Sequence, residues 1–207
     1  TGNIYMNATP RVIYGWAKAG TFFKAFTHID KASGIPRPAL WLTFGLSIFW
    51  TLPFPSWEQL ISVVSAALVL SYAIAPVTAA GLRRNAPDLP RPFRVRAFGI
   101  IGPVSFMISA LIVYWSGWNT LSWLLGLQIV MFVVYVMCKG KVPEHTVSLA
   151  QQVKSSLWLI VFYALIILFS WLGSFGGLNV IGHPWDTVLV AAMSLGIYYW
   201  GARSCLP

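Results

Sequence analysis

Long apolar runs without charged residues alternate with short basic segments along this chain. The uncharged runs cover residues 38–57, 59–82, 97–138, 155–185 and 187–202. A helix needs about 20 mostly apolar residues to cross the hydrocarbon core of a bilayer. The runs therefore predict membrane-spanning helices. Residues 97–138 are twice as long as one span requires and predict two antiparallel helices joined by a turn at Ser116–Thr120.

The pattern predicts an all-α, polytopic membrane helix bundle. Pro53 closes the first span, and Pro76 predicts a kink near the end of the second. By this division residues 38–82 hold two helices and residues 97–202 hold four. The expected spans are residues 38–53, 59–82, two within 97–138, 155–175 and 187–202.

The first 37 residues fit no complete span. Only about ten residues precede Arg11, too few to cross a bilayer, so residues 1–20 are interpreted as the last half of a truncated helix. Residues 11–37 mix basic and aromatic side chains, which is typical of a segment at the headgroup interface. Because the chain starts at Thr1, without an initiator methionine or a signal peptide, we interpret it as a C-terminal fragment.

Composition excludes an ordinary soluble domain. Of the 207 residues, 57% are hydrophobic and only 9% are charged, which leaves too little polar surface for a water-soluble globule. The net charge of +9 is compatible with nucleic-acid binding. The basic residues of the chain, however, lie only between apolar runs, so we predict membrane lipids and no nucleic acid as partners.

The basic residues also predict orientation. If alternate loops face opposite sides, all fourteen Lys and Arg residues fall on one side, in residues 11–37, 83–96, 139–154 and 203. Short loops rich in Lys and Arg stay in the cytoplasm. We therefore predict a cell-membrane protein with residues 203–207 as a cytoplasmic tail. Cys138 and Cys205 fall on this side and are expected to be reduced thiols.

The loop at residues 83–96 is the densest basic segment. Two interpretations stay open: its arginines bind anionic lipid headgroups, or they only fix the topology. The second is simpler. The arginines concerned are Arg83, Arg84, Arg91, Arg94 and Arg96.

No acid, base or histidine falls inside a predicted span. Proton relays and metal sites in membranes are normally built from such residues. The sequence therefore predicts no catalytic residue, no metal site and no cofactor, and it argues against a membrane-embedded enzyme.

Polar candidates inside the spans are few. Ser62, Ser65 and Tyr72 share one face of a helix, and Asn3 would lie near the middle of the membrane. These four residues are candidates for a substrate pathway. The alternative is that they make hydrogen bonds between packed helices.

Two segments resemble amino-acid permeases of the amino acid/polyamine/organocation superfamily. Residues 11–39, RVIYGWAKAGTFFKAFTHIDKASGIPRPA, are similar to the segment after the eighth helix of these permeases. The matching positions are Arg11, Tyr14, Ala17, Gly20, Phe23, Gly34 and Pro36. Residues 87–95, PDLPRPFRV, resemble the loop after the tenth helix, and here Pro87, Arg91, Pro92 and Phe93 match.

The resemblance implies that the six spans are helices nine to fourteen of a LeuT-like transporter with two inverted repeats. The two extra C-terminal helices resemble the longer, fourteen-helix members, among them aspartate–proton symporters. In the superfamily the substrate site lies at the broken first and sixth helices. Neither is present here, so no substrate-binding motif carries over.

The leading hypothesis is the C-terminal part of a secondary active amino-acid transporter that works by proton-coupled symport and alternating access. The amino acid and the proton would then bind the missing N-terminal half. The alternative is a structural module for oligomerisation, with no transport activity of its own.

Overall fold

The structure is a computed structural model that describes residues 2–20, 22–52, 56–138 and 149–205. The described residues form helices and one short 3-10 turn at Lys24–Thr27, without a β-strand, which confirms the all-α class. The α-helices are α1 Gly2–Lys18, α2 Arg37–Thr51, α3 Trp57–Asn85, α4 Phe98–Trp115, α5 Gly117–Cys138, α6 Leu149–Leu172 and α7 Trp185–Ser204.

Four of these helices, α3 to α6, are long and apolar enough to cross a membrane. This finding fits the predicted polytopic bundle. With 15 residues, α2 is shorter than a usual span. The 20 residues of α7 include Asp186 in the first turn and Arg203 in the last. As spans, α2 and α7 stay predictions.

The chain divides into two compact units. The first comprises Thr1–Leu60 and Ile129–Thr146, and the second comprises Ile61–Gln128 and Val147–Pro207. The second unit holds most of α3, all of α4, the first half of α5, and α6 and α7.

In the first unit, α1 packs against α2. Ile13 and Ala17 lie one helical turn apart on α1 and are both buried. α1 continues through Pro10 and Arg11 to Lys18, and so lies within the residues that the sequence suggested as the end of a helix.

A compact turn follows the 3-10 segment. Gly34 adopts a left-handed backbone (φ +67°) and donates its N–H to the Asp30 carbonyl at 2.8 Å. The Asp30 carboxylate accepts a hydrogen bond from the Ser33 hydroxyl at 2.6 Å and lies 3.0 Å from the Arg37 guanidinium. The Ser33 hydrogen bond is the main cause that lowers the pKa of Asp30, and Arg37 adds to it. A left-handed backbone conformation favours glycine, so the geometry of this turn explains why residue 34 is a glycine.

In the second unit, α7 lies against both α4 and α6. Aromatic rings pack together within the core: the Phe106 ring lies 5.1 Å from that of Phe162 and 6.1 Å from that of Tyr198. Small residues let the backbones approach each other. A Cβ on Gly201 would lie 2.8 Å from both Val77 on α3 and Trp158 on α6.

Several helix boundaries differ from prediction. α3 continues three residues past Leu82, since Arg83 and Arg84 are favoured in a last turn, where cations interact well with the helix dipole. The turn between α4 and α5 is tighter than Ser116–Thr120, because Gly117 (φ +83°) reverses the chain at once. The predicted loop 139–154 is helical from Leu149 onward, and its residues 139–148 lie outside the described part of the chain.

One end of the second unit collects several helix termini. The Arg83 guanidinium at the end of α3 lies 3.9 Å from the centre of the Phe98 ring, which begins α4. The Asn85 side-chain amide donates to the carbonyl of Cys205, just after α7, at 3.0 Å. This end of the unit, here called the basic end, holds the arginines of α3, and its opposite holds the site described next.

Candidate functional site

A buried carboxylate is the most distinctive polar feature of the described residues. Asp186 lies in the first turn of α7 with 0% exposure. Its Oδ2 accepts hydrogen bonds from the Tyr114 hydroxyl at 2.7 Å, the Ser174 hydroxyl at 2.5 Å and the Ser174 N–H at 3.3 Å. Its Oδ1 accepts the Thr187 N–H at 2.6 Å. Both oxygens are thus satisfied, as a buried carboxylate requires.

The donors come from three parts of the second unit. Tyr114 lies at the end of α4, Ser174 lies in the loop after α6, and Thr187 belongs to α7 itself. Asp186 therefore joins the ends of three elements that are up to 72 residues apart in sequence. We call Asp186, Tyr114 and Ser174 the carboxylate cluster.

His183 connects the carboxylate cluster to the surface. Its Nδ1 lies 3.6 Å from the Asp186 Oδ1, and its side chain is 63% exposed. The His183 ring also meets the Phe175 ring edge-on at 6.3 Å, and Phe175 in turn packs against Tyr114 at 5.5 Å. His183 thus lies between the buried carboxylate and the solvent.

The loop that supplies Ser174 folds back on the end of α6. The Leu178 N–H donates to the Trp171 carbonyl at 2.7 Å, and the Val180 N–H donates to the Leu172 carbonyl at 2.9 Å. These bonds satisfy carbonyls that a helix C-terminus leaves without partners. Gly173 must be small here, because a Cβ would lie against the Tyr114 hydroxyl and 2.7 Å from the Phe169 carbonyl oxygen.

This arrangement suits a structural role, in which Asp186 holds the ends of three elements together, better than a reactive site. Each Asp186 oxygen is occupied by donors from the protein. Among the described residues no group of three His, Cys, Asp or Glu side chains could hold a metal ion. The carboxylate cluster thus stabilises the end of the bundle opposite the basic end, and its neighbour His183 is exposed to solvent.

The carboxylate cluster was not predicted from the sequence. Asp186 was assigned to the loop before a span starting at Thr187, whereas α7 begins at Trp185 and takes Asp186 into its buried first turn. One signal was available: an acidic residue is favoured in the first turn of a helix, where it interacts with the helix dipole. No pattern in the sequence pointed to Tyr114 or Ser174 as its partners.

The residues of the predicted face, Ser62, Ser65 and Tyr72, differ in their surroundings. The Ser62 hydroxyl lies 3.0 Å from the Thr120 hydroxyl, so it joins α3 to α5. Ser65 is exposed, and Tyr72 is 66% exposed. The structure thus gives Ser62 a packing contact and leaves the other two on the surface of the described chain. Asn3 falls in α1, and its side chain lies outside the described residues.

The five arginines separate into two groups. Arg83 stacks on Phe98, and Arg91 donates to the carbonyls of Leu82 at 3.0 Å, Ala86 at 2.6 Å and Pro87 at 3.1 Å. Both therefore shape the end of α3. The three others lie exposed: Arg84, Arg94 and Arg96.

We expect Arg91→Gln to lower the free energy of unfolding by about 1–2 kcal/mol, because three carbonyls lose a charged donor at a half-buried position. Thermal unfolding of the purified protein in detergent measures this loss. Arg94→Gln is the matched control, since it removes the same charge from an exposed side chain nearby. An equal shift in both variants would contradict the capping role.

Comparison with known proteins supplies the family context. Over all 207 residues the chain is 56% identical to the aspartate-proton symporter of Bacillus subtilis (strain 168), and it covers 40% of that protein. Over 206 residues it is 32% identical to the glutamate/serine transporter AimA of the same organism, covering 38% of it. The chain is homologous to a region of amino-acid transporters.

This homology confirms the resemblance to amino-acid permeases seen in residues 11–39 and 87–95. The matched region is C-terminal in the larger symporter, and the chain spans about two fifths of the length of both relatives. Together with the apolar helices, it identifies a multi-pass membrane protein. No known protein-family profile and no solved structure matches the sequence.

Proposed function

We propose that this chain is the C-terminal region of a proton-coupled amino-acid symporter, and that aspartate is its substrate. The supporting observation is the 56% identity over the whole chain to an aspartate-proton symporter, against 32% to a glutamate/serine transporter. In this proposal the chain supports the transport core, the amino acid and proton bind upstream helices, and the region has no enzymatic activity.

The supporting role fits the polar residues of the described helices. The one buried carboxylate among them is satisfied by protein donors, which leaves it no free acceptor for a substrate amine. Ser65 and Tyr72 are exposed on a helix that is apolar enough to span a membrane. We propose that these two residues contact upstream helices, because hydroxyls in a bilayer are normally satisfied by neighbouring helices.

The basic end is proposed to face the cytoplasm, which would place the C-terminus inside the cell. Arg83 and Arg91 at the end of α3 support this orientation, as does Arg203 at the end of α7, since Asn85 joins these two helix ends. Exposed arginines in the following loop, Arg84, Arg94 and Arg96, would fix the same topology.

A chimera tests the proposed function. The chain replaces the matching region of the Bacillus subtilis aspartate-proton symporter, and uptake of labelled aspartate is measured in proteoliposomes with an inward proton gradient. We expect saturable uptake by the chimera, because the substrate-binding helices stay intact. The chain alone, reconstituted in the same way, is expected to show none.

Two results would contradict the proposal. Saturable uptake by the chain alone would show that it contains a complete site. A chimera that inserts and folds but does not move aspartate would favour the alternative of a structural module. The unmodified symporter and protein-free vesicles serve as the controls.

A further inference from the structure

A cleft at the end of the second unit combines cationic and apolar side chains. It lies between the start of α6 and the end of α7 and has a volume of about 400 Å³. Its lining residues are Gln151, Lys154, Ser155, Leu157, Trp200, Arg203 and Ser204. Both charged side chains in this lining are cations, and they come from different helices.

The two cations are placed to share one anion. Lys154 and Arg203 are exposed, and among the described residues neither has a carboxylate partner. Ser155 and Ser204 lie in the same lining, and the Ser204 hydroxyl donates to the Trp200 carbonyl at 2.9 Å. An ammonium and a guanidinium group around one space are donors that suit a phosphate group.

The apolar part of the cleft lies one helical turn deeper on both helices. Leu157 follows Lys154 by three residues on α6, and Trp200 precedes Arg203 by three residues on α7. Three residues correspond to about 4.5 Å along a helix. Leu157 is 42% exposed and Trp200 is 38% exposed, so both present apolar surface outward.

We propose that this cleft binds the phosphate of an anionic phospholipid, with Lys154 and Arg203 on the headgroup and Leu157 and Trp200 along the first part of an acyl chain. The charged residues followed by deeper apolar residues match the headgroup and acyl chain of a lipid. A free phosphate would make no contact with the apolar residues. Trp200 fits this position because tryptophan is enriched at the membrane interface.

Native mass spectrometry of the purified full chain, titrated with phosphatidylglycerol or phosphatidylcholine, tests the proposal. We expect the wild-type protein to retain phosphatidylglycerol in preference. The double variant Lys154→Gln/Arg203→Gln should bind it at least about tenfold more weakly, because two charges near a headgroup contribute roughly that much or more. Lys154→Arg/Arg203→Lys keeps both charges and should restore most of the preference.

The matched control is Arg94→Gln/Arg96→Gln, which removes two exposed charges from the loop after α3, outside the cleft lining. An equal loss in this control would overturn the proposal, since it would indicate a diffuse basic surface. Equal retention of the two lipids by the wild type would also overturn it. Thermal unfolding of each variant verifies that the fold is intact.

A second titration separates the two sources of phosphate. Inorganic phosphate is added to the protein loaded with phosphatidylglycerol. If the lipid is the occupant, millimolar phosphate leaves it bound, because the acyl contacts with Leu157 and Trp200 remain. Complete displacement, equal in the wild type and in a Leu157→Ser variant, would show a site for free phosphate and overturn the assignment to lipid.

Discussion

Asp186→Asn is expected to destabilise the second unit by about 2–4 kcal/mol, the largest effect of any isosteric change in the described residues. The amide keeps the volume of the carboxylate but has one acceptor oxygen in place of two. Either the Tyr114 and Ser174 donors or the Thr187 N–H then face an NH₂ group. A buried donor without an acceptor keeps its full desolvation cost.

The measurement is the apparent unfolding temperature of the purified protein in detergent. Asp88→Asn is the control, because Asp88 is an exposed acid in the loop after α3 and undergoes the same chemical change. Tyr114→Phe gives an intermediate point. It removes one donor while Ser174 and Thr187 still hold the carboxylate, so the expected loss is about 1–2 kcal/mol.

The order of the three variants is the decisive result. Asp186→Asn should lower the unfolding temperature most, Tyr114→Phe less, and Asp88→Asn hardly at all. If Asp186→Asn and Asp88→Asn unfold at the same temperature, the carboxylate cluster does not hold the end of the bundle together. The structural role assigned to it would then be wrong.

The existence of the helices could be predicted from the sequence because it depends on local properties. A long uncharged apolar run has few stable alternatives in a bilayer, and the doubled run at residues 97–138 required a reversal. Their ends were harder to place. The end of α1 at Lys18 depends on tertiary packing, since Ile13 and Ala17 in its last two turns are buried.

The carboxylate cluster shows what sequence reasoning could not reach. A partition of charged residues into loops and spans treats each residue alone, so Asp186 was placed between two predicted spans, outside both. Its partners lie 12 and 72 residues away along the chain. Only the packing of α4, α6 and α7 brings them together, and a single sequence carries no sign of that pairing.

The composition of α6 favours lipid contact, because this helix has few small residues. Its large side chains instead fill one stripe of the core, with Trp158, Phe162 and Ile166 buried at intervals of four residues. Small residues mark close approach of helices, but large ones pack equally well against a neighbour that supplies the space.

On α7, Gly201 supplies that space. The same substitution, glycine to alanine, is therefore expected to have opposite effects on stability at Gly201 and at Gly196. Gly201→Ala should destabilise the protein by about 1–3 kcal/mol, because its Cβ would lie 2.8 Å from the Val77 Cγ1 and from the Trp158 Cδ2. Gly196→Ala on the same helix has nothing within 4 Å of its Cβ and should stabilise by about 0.5–1 kcal/mol.

The paired design removes the effect of helix propensity, since both substitutions change glycine to alanine inside α7. The difference between the two unfolding temperatures then reports the contact of Gly201 with α3 and α6. Gly201→Leu, which adds three more carbons to the same place, should enlarge the difference or prevent folding. Two alanine variants with equal, raised unfolding temperatures would contradict the close packing of α7 and with it the central position of that helix in the second unit.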